Sequence, residues 1–343
     1  MVVGVVCMVV VIIALYALFN QNGFPVFLFH KIDEHSDTTP ETFEEILQYL
    51  KNTQYKTLTA REIENGAKVD RKSIMLTFDD GYLNNYEVVF PLLKKYQTKM
   101  TLFINTEYIL KSESERNADT MHTHYPFLLW SEVKEMHDSG LVDIQLHTGK
   151  HYFHFVPSEL KEIFSKEENL QDLKNYQVLY GREQDLEGMP VFRKRGATSQ
   201  PGFVLDSTTL DALKGKIGAT MDIKQANREI DFSRYGHIES FEEFKTRVEQ
   251  VITENQEPIE KYLGYPAKHF AWPWGHYTKD AVCVMESIGV KGLYTCIKGP
   301  NRRKMDLKCI RRDSFRKASL KRFKWKLYLC RNTILGKIYE WVS

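Results

Sequence analysis

Ser73 to Gly81 reads SIMLTFDDG: an apolar run that stops at two adjacent carboxylates, Asp79 and Asp80, followed by a glycine. Ser73 to Phe78 is predicted to be a buried strand, because it is short and continuously apolar. Gly81 permits a tight turn directly after the acids. Neighbouring side chains in a strand point to opposite faces, but where the chain leaves the sheet both acids can aim into one site. Two carboxylates there are costly unless a cation or a shared proton compensates them. Taken alone, the stretch reads better as an ordinary Asp-Asp-Gly turn.

Similar runs flank it. PVFLFHKI (25–32), KMTLFIN (99–105), Val142 to Leu146, HFAWPW (269–274) and Gly292 to Ile297 read as further strands. Between them lie helical spacings. Thr39 to Lys51 places Phe43, Ile46, Leu47 and Leu50 on one face. Tyr86 to Tyr96 reads as a helix kinked at Pro91, Glu132 to Ser139 as one closed by Gly140, and Lys279 to Ile288 as one closed by Gly289. Ser240 and Glu243 form a capping box ahead of Phe244, Val248 and Val251, in a helix ending near Gly264. Strand–helix alternation predicts an α/β fold with a largely parallel sheet, whose chemistry gathers at the carboxyl ends of the strands. The more polar stretch at about 155–237 reads as a long insertion into this body rather than as a separate domain.

The candidate motifs fall at those strand ends. His147 and His151, in HTGKH (147–151), stand four residues apart just past a strand. One Asp and two His make a three-ligand site with open positions, which is what a catalytic zinc needs. His154 follows three residues later and reads as structural.

Composition narrows the choice only modestly. The chain has 343 residues, a net charge of +2 and aromatic content of 13%. That charge implies no polyanionic partner, and no nucleic-acid motif is present. The five cysteines form no CxxC pair and no disulfide framework. Met1 to Phe19 carries no charged side chain and is long enough to span a bilayer, without the basic start or the small-x-small site of a cleaved leader. Residues 1–20 are therefore expected to form a single transmembrane anchor, with the extracytoplasmic side favoured for the body. Residues 316–343 form a basic amphipathic tail, read either as a membrane-surface element or as a helix docked on the body.

TFDDG (77–81), HTGKH (147–151) and AWPWG (271–275), in that order, resemble the motifs of the NodB-homology polysaccharide deacetylases, carbohydrate esterase family 4. The similarity extends over residues 24–315 and implies a distorted (β/α) barrel. It implies hydrolysis of N-acetyl groups on an amino sugar of a surface polysaccharide or lipid-linked glycan, with a divalent cation, Zn2+ by expectation. Asp80, His147 and His151 would hold the metal, and Asp79 would be the general base. The backbone N–H of Trp274 would face the oxyanion, and its ring would wall the acetyl pocket. The family's late Leu-x-His, source of the general acid, is missing. In the branch that includes poly-N-acetylglucosamine deacetylases an early strand-end His serves, and His30 in FLFHKI matches it. The third motif also lacks its usual Arg, for which Arg311 or Arg312 is expected to substitute. Carbohydrate O-acetyl ester hydrolysis and non-catalytic glycan binding stay open as alternatives.

Overall fold

The computed structural model describes residues 22–119, 126–165 and 173–342. The elements that build its sheet and outer layer are, in chain order, β1 (Gly23–Phe24), β2 (Val26–Phe29), α1 (Pro40–Asn52), β3 (Ser73–Asp80, which the short strand Lys56–Thr57 also joins), α2 (Phe90–Tyr96), β4 (Met100–Asn105), α3 (Trp130–Asp138) and β5 (Val142–Thr148). A hairpin follows, β6 (Phe153–Ile163) and β7 (Pro190–Gly196). The chain then gives α4 (Phe241–Leu263), β8 (His269–Ala271), α5 (Lys279–Ser287), β9 (Gly292–Tyr294), β10 (Asn301–Arg302), β11 (Asp313–Ser314), α6 (Leu320–Arg331) and α7 (Thr333–Val342).

The main sheet runs β9-β8-β5-β4-β3-β2-β11, and every neighbouring pair in it is parallel. A parallel bridge from Tyr294 to Ile310 links the β9 edge towards the segment ahead of β11, so the sheet curls into a half-barrel. Seven residues of β3 are buried, which is why no polar alternation appears in it. Helices α1 to α5 supply the outer layer, with Phe43, Leu93, Val133, Val248 and Met285 in one apolar core with Leu76, Leu102 and Ile144 of the strands.

Helix boundaries follow their caps. Thr39 caps α1 ahead of Pro40, and the capping box of Ser240 and Glu243 starts α4, which ends at Gly264 in the left-handed region (φ 75°). Two expectations are corrected. Instead of one helix kinked at Pro91, Asn85–Val89 forms a wider π turn, and Pro91 falls in the first turn of α2, where its missing N–H is tolerated. The strand expected over 269–274 stops at Ala271. Pro273 has no N–H to offer a ladder, and Trp274 turns into the left-handed region (φ 53°).

From 153 to 238 the chain builds a second apolar core. Phe155, Tyr176, Phe192, Phe203 and Phe232 pack together beneath the β6–β7 hairpin. This layer meets the main sheet beside the third motif, where the Gly196 N–H donates to His276 Nδ1 at 3.3 Å. At the other end of the chain α6 docks on the sheet: Phe323 is fully buried, its ring centroid 4.9 Å from that of Phe27. No helix among the described residues is long and apolar enough to cross a membrane. The transmembrane helix expected over residues 1–20 lies outside the described residues.

Candidate active site

Pairing along the sheet sets the motif residues side by side. Phe29 lies opposite Phe78 on β2 and β3, so His30 follows β2 beside Asp79. Asp80 pairs with Ile104 on β4, Ile104 with Leu146 on β5, and Leu146 with Phe270 on β8. The carboxyl ends of β3, β5 and β8 thus deliver Asp79, Asp80, His147, His151 and Trp274 to one rim.

Asp80, His147 and His151 converge, each offering one ligand atom, all within 4.8 Å of one another. His147 is buried, and its Nδ1 donates to the Ala271 carbonyl at 2.8 Å. That bond fixes the tautomer and leaves Nε2 facing Asp80 Oδ1 at 3.5 Å. The same Asp80 oxygen accepts from Asn105 Nδ2 at 3.1 Å. Burial alone would raise the Asp80 pKa. The His147 hydrogen bond and the positive charges of His151, His30 and His147 outweigh it and hold the carboxyl well below its ordinary range. His147 moves up: burial opposes the shift, and its bond to Asp80 and the nearby charge of Asp79 prevail. His151 is pushed down to about 4 by burial and by the charge of His147. A carboxylate held ionised next to an imidazole held neutral is a donor set that suits a divalent cation, and these three residues fit one.

Asp79 points elsewhere. It is 2% exposed and receives a two-pronged bond from Arg312, Nη1 to Oδ1 at 2.6 Å and Nη2 to Oδ2 at 2.9 Å. Arg312 Nε donates to the Thr295 carbonyl at 3.0 Å, which fixes the fork. Of the two arginines considered from the sequence, Arg312 therefore meets the acid. Arg311 pairs with Glu340 instead.

Three site residues hold left-handed backbone that side chains other than glycine rarely adopt: Asp80 (φ 78°), His151 (φ 54°) and Trp274 (φ 53°). In Trp274 this swings the ring, 45% exposed, edge-on to His151 with centroids 4.1 Å apart. Gly275 follows at φ 68°, and a Cβ there would lie 2.7 Å from Cys296 Cβ. His30 stands exposed on the rim, close enough for its charge to act on Asp80 and His151.

Two contributors were not anticipated. Asn105 closes β4 and holds Asp80. Asn255, fully buried on α4, donates to the Ile104 carbonyl (3.2 Å), Thr106 Oγ1 (3.0 Å) and the Thr148 carbonyl (2.8 Å). It clasps the ends of β4 and β5 just ahead of the His151 turn. Its position on the apolar stripe of Val248, Val251, Ile252 and Ile259 was the available signal, a polar residue facing the core.

Residues 66–185 match the family model described as polysaccharide deacetylase. A putative polysaccharide deacetylase of Bacillus subtilis is 32% identical over 133 residues, 37% of this chain and 43% of the relative. A poly-β-1,6-N-acetyl-D-glucosamine N-deacetylase of Staphylococcus aureus is 30% identical over 135 residues, 38% of this chain and 44% of the relative. The matched segments thus span less than half the length of these relatives. Among solved structures, a de-N-acetylase from Aggregatibacter actinomycetemcomitans superposes with TM-score 0.59 at 17% identity, covering 88% of this chain and 99% of that one, and so shares the fold. With its motifs gathered at one rim of a parallel half-barrel, the chain has the fold of a de-N-acetylase and carries, over residues 66–185, a segment that matches the polysaccharide deacetylase family.

Proposed function

We propose that this chain is a metal-dependent hydrolase that removes N-acetyl groups from an amino sugar of a surface polysaccharide or lipid-linked glycan, releasing acetate. The observation that carries the reading is the division of labour between two adjacent acids. Asp80 faces two imidazoles, while Asp79, one residue earlier, is locked to Arg312. Sequence neighbours in one strand end thus occupy two chemically distinct environments, as a ligand and a base must.

Asp80, His147 and His151 would hold the cation, Zn2+ by the nature of the donors. When bound, it supplies Lewis acidity towards the attacking water and the acetyl carbonyl. Asp79, oriented by Arg312, would take the proton from the attacking water as the water oxygen adds to the acetyl carbon. The Trp274 N–H faces the oxygen that gains charge, and the Trp274 ring walls the acetyl methyl. His30, on the open rim, gives its proton to the departing amine nitrogen as the C–N bond breaks. The products are acetate and a free amino sugar. Residues 1–20 would tether the body to a membrane, with the outward side favoured.

The test is acetate release from a panel of N-acetylated membrane glycans, with and without a chelator. Release from at least one amino-sugar glycan, abolished by chelation and restored by Zn2+, is the expected result. Activity indifferent to chelator, or none on any amino-sugar glycan, overturns the proposal.

A further inference from the structure

Helices α6 and α7 form a hairpin whose inner side belongs to the protein core and whose outer side is unusually apolar for a surface. Phe323, Leu327 and Cys330 are buried against the sheet. Trp325 is 54% exposed, Ile338 55% and Trp341 87%. Trp325 meets Tyr339 edge-on, with centroids 5.4 Å apart, so the two helices present their aromatics together. Lys321, Lys324 and Trp325 have the spacing that places residues on one helical face, and Ile338 and Trp341 have it on the other helix.

Charge on this hairpin is one-sided. From Phe315 onward the only acidic residue is Glu340, and Arg311 already pairs with it at 2.5 Å. Lys321, Arg322, Lys324 and Lys337 are exposed. The combination of exposed indoles with lysines is the composition of a helix lying in a lipid interface.

A separate observation says what lies alongside. Gly23 opens β1 against the far end of α6, where a Cβ would run into the Cys330 carbonyl. The chain before it, Met1 to Phe19, carries no charged side chain and is joined to β1 by Asn20, Gln21 and Asn22. Three residues reach about 10 Å at full extension. Whatever apolar phase takes the N-terminal segment therefore lies beside the corner between α6 and α7.

We propose that the outer face of the α6–α7 hairpin rests on an anionic lipid bilayer, with Trp325, Ile338 and Trp341 entering the boundary between headgroups and acyl chains. Lys321, Lys324 and Lys337 meet the headgroup phosphates. The proposal rests on the reading of residues 1–20 as an anchor, and it turns the tether into a fixed orientation of the catalytic body.

The experiment uses the full chain reconstituted into vesicles whose phospholipids carry brominated acyl chains, which quench indoles in contact with them. The N-terminal segment contains no Trp, Trp130 and Trp272 are buried, and Trp274, 45% exposed on the catalytic rim, is common to wild type and variant, so the difference between them reads Trp325 and Trp341. Wild type is compared with Trp325→Phe/Trp341→Phe, in phosphatidylcholine with and without phosphatidylglycerol. Thermal unfolding in detergent verifies that the exposed substitutions leave the fold intact. The expected result is strong quenching of wild type that is largely lost in the double variant. Lys321→Glu/Lys324→Glu should remove the preference for phosphatidylglycerol. If the protein sediments with vesicles but quenching is equal in wild type and double variant, the anchor stands and the docked face is overturned. If it fails to sediment with vesicles, both are overturned. A wild-type dimer in detergent that Trp325→Phe/Trp341→Phe dissociates overturns the proposal in favour of a second copy on this face.

Discussion

Arg312 grips Asp79 through Nη1 and Nη2, at 2.6 and 2.9 Å, with both side chains buried. Such a pair contributes little net stability, because desolvation offsets the attraction, but its geometry is hard to replace. A fork matched to a carboxylate fixes the plane of the acid, which a lysine cannot do. Asp79→Asn is predicted to abolish acetate release while metal content stays at the wild-type level. Arg312→Lys should fold and bind metal, yet lose about 10²-fold in kcat, the lower end of what a positioned acid or base contributes. Arg312→Met leaves the acid buried and alone and should cost about 3–5 kcal/mol of stability. Acetate release, metal analysis and urea unfolding separate the three. Near-normal turnover in Asp79→Asn sinks its assignment as base.

The three proposed ligands are expected to act as a unit. Asp80→Asn, His147→Ala or His151→Ala should each remove stoichiometric metal and bring acetate release to background. In the wild type, added Zn2+ should raise the melting temperature, since the ion binds the native state and stabilises it by mass action. Equal melting temperatures with and without Zn2+ would count against this cluster.

Asn255 ties the ends of β4 and β5 through one buried amide nitrogen whose two hydrogens are shared among three acceptors. Asn255→Leu takes a donor from the Ile104 and Thr148 carbonyls, the second of which keeps the Thr106 N–H at 3.2 Å, and a loss of about 1–3 kcal/mol is expected. Because those strands carry Asn105 and the turn to His151, Zn2+ affinity should fall as well, by about 10-fold or more, as for other residues that orient ligands. Calorimetric titration with Zn2+ reads this directly. A variant that loses stability but keeps wild-type affinity would confine Asn255 to packing.

His154 provides a pH signature remote from the chemistry. It is 4% exposed, and burial together with the charge of Arg247 pushes it down to about 3. Unfolded, it titrates near 6.5. Between those values the unfolded chain holds the extra proton, so stability rises with pH and is lost as pH falls from about 6.5 towards 3. At pH 4.5 the deficit from this group is roughly 2–3 kcal/mol. Urea unfolding at pH 7.0 and 4.5 should show His154→Gln losing less stability on acidification than wild type, by about that amount. Parallel losses in the two proteins would show that His154 is not the buried neutral group described.

Much of this arrangement was legible in the residues. The apolar runs ending in Asp79-Asp80 and Ala271, and the alternating Val142 to Leu146 ahead of His147, read as strands interleaved with helices, and a parallel sheet places all their ends on one rim. What stayed hidden depended on distance along the chain. Arg312 reaches Asp79 across 233 positions, and its neighbour Arg311 has the same charge and a different partner. Local pattern cannot choose between them, since the choice is made by which side of β11's approach faces the sheet. The second apolar core was hidden for another reason. Its aromatics are scattered among charged residues over 153–238, and only the β6–β7 pairing brings Phe155 to Phe192.

Asp80, His151 and Trp274 each occupy backbone that glycine would hold more comfortably by about 1 kcal/mol. A search for stabilising substitutions would therefore arrive at these three positions, and every gain there would delete a functional side chain. The turns mark where this fold gives up thermal robustness for reactivity. Hardening the protein for use must draw on positions away from the rim.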